Sequence, residues 1–196
     1  MIRAYRESMV LAARTADDIG QVLRSWAAVE EPLMGDVPAV LVAHGVICAD
    51  LLAQWHGEDL ELQVAGLLHD IGLLLVPGDE LGHPANGASY ARDLLGARTA
   101  RLISLHVDAQ RYLELTKPGY KVTPPPTAEF APQPDPMTAG EARAFELDPL
   151  HQDVLELRRA DDAASDTSAR ADDVALERQL DRVRRLAARI GSSQVS

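Results

Sequence analysis

The stretch Val64-Ala-Gly-Leu-Leu-His-Asp-Ile-Gly72 closes an apolar run with an ionisable pair, His69 and Asp70. An ionised carboxylate beside Leu67, Leu68 and Ile71 is costly to bury unless a cation meets it. Whatever the chain folds into must therefore deliver positive charge to Asp70. No Lys or Arg lies between Arg24 and Arg92, so the nearby sequence offers imidazoles instead. His44 sits 25 residues before His69, and His83 and His106 follow Asp70 by 13 and 36 residues. Asp161 comes late in the chain.

Four imidazoles and two carboxylates exceed what one ion takes from a protein. They suit a pair of hard or borderline cations that share a carboxylate. The expected assignment gives His44, His69, Asp70 and Asp161 to a first ion, and Asp70, His83 and His106 to a second. With fewer protein ligands, the second ion keeps positions open for substrate or dioxygen. The mixture of imidazole and carboxylate favours iron or manganese over a closed structural zinc. Each residue also has a duller explanation. His69 and His44 fit as core histidines, His83 as a helix cap before Pro84, and His106 as a core residue within Leu102-Ile-Ser-Leu-His-Val. Cys48, one turn past His44, is conceivable as a thiolate ligand but reads better as a small buried hydrophobe. Asp161 and Asp162 are adjacent, and spacing alone does not choose between them. His56 and His151 read as surface residues.

The surrounding pattern is helical. Hydrophobic residues make up 46% of 196, mostly Ala, Leu and Val, with 4% aromatics and few alternating β-branched runs. That predicts one all-α domain over 1–196, with its core over about 16–164. Thr15 or Asp17 caps a first helix through Trp26. Pro38 opens a second that ends near Gly57, after a loop over 30–37. Residues 60–75 read as one central apolar helix. A loop over 77–84 precedes helices over about 85–95 and 97–115. The segment 118–136, with seven of the twelve prolines, reads as irregular. Thr138-Ala-Gly-Glu141 is a capping box opening a short helix to Leu147. Helices over 149–164 and about 172–190 follow, across a small, polar linker at 165–171.

A net charge of −11 without a long basic patch argues against nucleic acid and anionic membranes as partners. A single cysteine excludes an intrachain disulfide and fits a reducing cytoplasm. The N-terminus lacks a secretory pattern, and no apolar run reaches membrane-spanning length. A small molecule is the expected partner, and oligomeric state stays open.

The His44…His69-Asp70…Asp161 pattern resembles the HD-domain superfamily of helical bundles, most of them metal-dependent phosphohydrolases. The extra pair, His83 and His106, resembles its mixed-valent diiron oxygenase branch, which includes myo-inositol oxygenase and the dioxygenases of hydroxylated aminoalkylphosphonates. Likeness to the latter covers roughly 36–164. It runs through Leu67-Leu-His-Asp-Ile-Gly72, His83 with Gly87-Ala88, Leu105-His-Val-Asp-Ala-Gln-Arg-Tyr-Leu113, Pro136-Met-Thr-Ala-Gly-Glu-Ala-Arg-Ala-Phe145 and Leu157-Arg-Arg-Ala-Asp-Asp162. The resemblance implies an Fe(II)/Fe(III) pair, dioxygen as co-substrate and Asp161 as the ligand of its pair.

The shell around the ligands departs from that branch. Gln110 stands where the family has a lysine that contacts an anionic group. Met34-Gly-Asp-Val37 replaces a Tyr-Gly-Glu gating stretch. Leu73, Ala160 and Ser165 replace a histidine, a tryptophan and a lysine, and Glu129 and Pro134-Asp135 replace small pocket residues. Gln133 and Arg158 remain. Losing the lysine removes a charge-assisted contact that an amide cannot equal for a dianion. The expected substrate is therefore less anionic, bulkier or more apolar than an aminoalkylphosphonate, with Arg158 and Gln110 as candidate polar contacts. The expected activity is a diiron oxygenase that cleaves or hydroxylates a small organic substrate. The alternatives are an HD phosphohydrolase of a nucleotide or other phosphate ester, and a binding or regulatory protein with a vestigial site.

Overall fold

A computed structural model of the chain describes residues 12–28, 37–121, 134–164 and 172–193. Residues 30–36 of the expected loop, with Met34-Gly-Asp36 in place of the family's gating stretch, the proline-rich residues 122–133 with Glu129 and Gln133, and the linker at 165–171 lie outside them.

Thr15 opens α1 (Ala16–Ala27) with a capping box: its hydroxyl accepts the Asp18 N–H, and the Asp18 carboxylate takes the N–H groups of Arg14 and Thr15. Next come α2 (Val37–Trp55), α3 (Leu60–Leu68), α4 (Ile71–Leu75), α5 (His83–Thr116), α6 (Ala139–Glu146), α7 (His151–Ala164) and α8 (Asp173–Ser193), with no strand among the described residues. The Thr138/Glu141 capping box starts α6 as its sequence requires.

Every residue of α3 except Glu61 is buried, and α2, α5, α7 and α8 pack around it. A helix apolar all round has no other place than the centre of a bundle. Charged ties hold its neighbours at the rim. Asp59 caps α3 and binds Arg98 of α5 at 2.7 Å, and Arg98 reaches Asp153 of α7 at 2.9 Å. Asp50 of α2 takes Arg178 and Gln179 of α8 at 2.5 and 2.7 Å.

One expectation about helices needs correction. Residues 60–75 are not one helix. The chain breaks at Asp70 (φ −99°, ψ 5°), and α4 starts anew at Ile71. That turn frees the Asp70 carboxylate from the helical direction fixed by its neighbours. The helices expected over about 85–95 and 97–115 are both present, meeting at a non-helical Gly96 (φ 87°, ψ 165°); they are labelled together as α5, whose first part begins at His83. Only glycine tolerates that backbone region. A Cβ there would also sit 3.1 Å from Ile190 of α8. Gly96→Ala should therefore cost about 1–3 kcal/mol in chemical denaturation. An unchanged midpoint would mean that the bend relaxes freely.

Candidate metal centre

The breaks and bends deliver six side chains to one place. His44 comes from the middle of α2. His69 and Asp70 lie in the turn between α3 and α4. His83 opens α5, His106 lies beyond its bend, and Asp161 comes from α7. His44, His69, His106 and Asp161 are buried. Asp70 is 23% exposed and His83 13%, so the cluster opens to the outside on their side.

The imidazoles aim the same nitrogen inward. His69, His83 and His106 each donate Nδ1–H to the carbonyl three residues earlier, of Gly66 (2.9 Å), Glu80 and Ile103 (2.7 Å). A carbonyl only accepts, so the proton of each neutral ring sits on Nδ1 and Nε2 is bare. This outer hydrogen bond is also what orients a ligating histidine. His44 Nε2 lies 3.2 Å from His69 Nε2, and His83 Nε2 lies 3.0 Å from His106 Nε2. Imidazole nitrogens this close in a buried site need a proton or a metal cation between or beside them.

Asp70 joins the two histidine pairs. Its Oδ2 lies 3.4 Å from His69 Nε2, while its Oδ1 lies 3.3 Å from His83 Nε2 and 3.5 Å from His106 Nε2. Asp161 Oδ1 lies 2.9 Å from His44 Nε2 and 3.6 Å from His69 Nε2. Neighbouring ligand atoms about 2.1 Å from a shared ion stand roughly 3.0–3.4 Å apart. Four of the observed separations have that spacing, and the other three, 2.9, 3.5 and 3.6 Å, lie just outside it. Ligand atoms of His44, His69 and Asp70 converge as one group, and those of Asp70, His83 and His106 as another. The residues fit two cations bridged by one carboxylate.

Electrostatics agree. Burial alone would push both carboxyls up. The His69 charge and hydrogen bonds from His106, His69 and His83 instead hold Asp70 well below the usual range. Arg158 and His69 do the same for Asp161. Burial opposes charge on His69 and His83, yet the aspartates raise both above the usual 6.5. A raised histidine holds its proton until the pH passes its shifted value, and an incoming cation must displace that proton. Metal loading should therefore release protons at neutral pH, and its apparent affinity should weaken as pH falls toward 6.5 and below. Isothermal titration in buffers of differing ionisation enthalpy reads the proton count. Uptake independent of pH would contradict this.

Arg158 is the only buried Lys or Arg among the described residues. Its Nη1 meets Asp161 Oδ2 at 2.7 Å, and its Nε and Nη2 meet Asp162 Oδ1 at 2.9 and 2.5 Å. Gln110 Oε1 stands 3.5 Å from Nη1, so the two candidate substrate contacts lie side by side. The Tyr120 hydroxyl donates to Asp162 Oδ2 at 2.9 Å. Sequence reading weighed Asp162 only as an alternative to Asp161 and overlooked Tyr120. The i+3 and i+4 spacing of Asp161 and Asp162 from Arg158 was the available signal.

Other candidates stand apart. Burial pushes the Cys48 thiol up to about 12, which keeps it neutral. His56, read as a surface residue, is part-buried and pairs with Glu156 of α7 at 3.1 Å. His151 is also part-buried, its Nδ1 on the Asp148 carbonyl at 3.1 Å.

A family model described as HD domain matches residues 43–163, the span that carries all six residues. The chain belongs to the HD domain family. This HD domain is 33% identical over 126 residues to an uncharacterized protein, L432, of Acanthamoeba polyphaga mimivirus, covering 58% of each chain. It is 26% identical over 144 residues to [1-hydroxy-2-(trimethylamino)ethyl]phosphonate dioxygenase (glycine-betaine-forming) of Leisingera caerulea, covering 68% of this chain and 72% of that one. It is 29% identical over 140 residues to hydroxymethylphosphonate dioxygenase of Gimesia maris, covering 66% and 69%. The chain thus spans just under three fifths of the viral relative's length. No described helix is long and apolar enough to cross a membrane.

Proposed function

We propose that this HD domain is a non-heme diiron oxygenase that uses dioxygen to cleave or hydroxylate a small organic substrate. The observation that carries the reading is the Asp70 carboxylate, whose two oxygens face two separate histidine pairs. Two relatives named as dioxygenases support it. His44, His69, Asp161 and Asp70 would hold one iron, and Asp70, His83 and His106 the other. An iron pair supplies the electron transfers that activate dioxygen. The chain's own contribution is to turn Nε2 of each ring inward, to hold Asp161 through Arg158, and to leave the Asp70–His83 side open for substrate.

The pocket's charge bears on the substrate. The one buried guanidinium among the described residues is already shared by Asp161 and Asp162, and its neighbour Gln110 is neutral. Arg158 and Gln110 therefore offer directional hydrogen bonds with little surplus positive charge. That suits a neutral or weakly charged polar substrate better than a simple aminoalkylphosphonate dianion.

Anaerobic purification, iron counted per chain and electron paramagnetic resonance test the reading. The expected result is two irons, a coupled mixed-valent signal and substrate-dependent oxygen uptake. One ion per chain, or zinc with no oxygen uptake, overturns it. The runner-up is a metal-dependent phosphohydrolase, the activity of most of the superfamily the sequence resembles. Hydrolysis of a phosphate ester without oxygen would decide for it.

A further inference from the structure

His83 differs from the other three histidines in how it is placed. It sits at the first turn of α5, on the opening side of the cluster, where helix packing alone constrains it least. Two features hold it. The first is Gly72, the second residue of α4, on which the His83 backbone lies directly. A Cβ at Gly72 would fall 2.7 Å from the His83 carbonyl carbon and 2.8 Å from its Cα, and closer still to the carbonyl oxygen. Those are backbone atoms, so an added methyl displaces the start of α5 and not merely a side chain.

The second feature is Asp79. Its Oδ1 accepts the Gly82 N–H at 3.1 Å, and its Oδ2 accepts the Asn86 amide at 2.8 Å. The carboxylate thereby spans from the turn before His83 to the residue three after it. Within that turn the Glu80 carbonyl accepts the His83 Nδ1–H. Gly72 thus sets how close His83 comes, and Asp79 sets the turn that aims it. Neither residue touches His44, His69 or Asp161 in the contacts described.

We propose that Gly72 and Asp79 are positioning residues for His83, so that changing either one releases the second ion and leaves the first in place. The proposal rests on the two-ion reading above. Loss of an outer-shell partner weakens metal affinity by roughly 10–100-fold, and here the loss should fall on one position only.

The test is an anaerobic Fe(II) titration of the full chain, with bound iron counted per chain after desalting and thermal unfolding followed on the same samples. Wild type should bind two ions. Gly72→Ala and Asp79→Ala should each bind one tightly, with the other weakened roughly 10–100-fold. Asp79→Asn should recover the second ion, because it keeps both hydrogen bonds once the Asn86 amide turns over. If Gly72→Ala does not fold, the two Asp79 variants carry the test alone. Variants that keep both ions overturn the proposal while sparing the two-ion reading, as does equal weakening of both ions. Wild type binding fewer than two ions overturns the reading and the proposal together.

Discussion

Replacing Asp70 with alanine is expected to cost more bound metal than any other single change at the centre, and activity with it. Its two oxygens face different histidine groups, so one substitution would remove a carboxylate from both proposed ion positions. The barrier contribution of a metal site is several kcal/mol. A loss of about 4 kcal/mol corresponds to about a thousandfold in rate. Bound metal should fall below one ion per chain. The fold should survive, because Asp70 lies in a turn that carries no side-chain cap. Alanine at His83 or His106 should abolish activity too, but should leave the first ion bound. Iron counts beside far-ultraviolet circular dichroism separate these outcomes. An Asp70→Ala protein that retains two ions would remove the bridge from the account.

Arg158→Met should show the second large effect, and its size should depend on whether metal is present. The guanidinium lies between Asp161 and Asp162, with its own side chain 5% exposed and that of Asp161 8%. Breaking a buried ion pair from one side costs about 3 kcal/mol or more, because the remaining charge stays buried, here with the His44 and His69 imidazoles beside it. In a domain of this size that lowers the melting temperature by about 8 °C. An ion on Asp161 supplies replacement charge, so the metal-loaded protein should lose less than half as much. Scanning calorimetry with chelator and with iron reads both numbers. Equal losses in the two forms would mean that Asp161 faces no cation.

The clustering side chains were legible in the sequence, because ionisable groups inside apolar runs have few permitted environments. His69-Asp70 and His106 are such cases. Helix starts were legible where a side chain caps them, as at Thr15 and Thr138, and Gly96 was readable as a break. The interruption at Asp70 was not. Its flanks, Leu67-Leu68 and Ile71, are as apolar as a continuous helix would be, and the turn exists to redirect one carboxylate. The beginning of α5 at His83 was hidden for a similar reason, because Pro84 and Gly82 both suggest loop. The seat of His83 and the engagement of Arg158 arise from tertiary packing, and periodicity carries no trace of which backbone lies against Gly72.

The bent helix α5 carries one imidazole on each limb, His83 before Gly96 and His106 after it. Their 3.0 Å approach therefore works like a measured joint, with two arms of set length meeting at a set angle. Each residue added to an arm turns everything beyond it by about 100° and advances it about 1.5 Å. One insertion or deletion on either limb would swing an imidazole away from Asp70 even with every ligand kept. Along this stretch, residue count is a stricter requirement than residue identity. Variation in length should be confined to the exposed turns outside it.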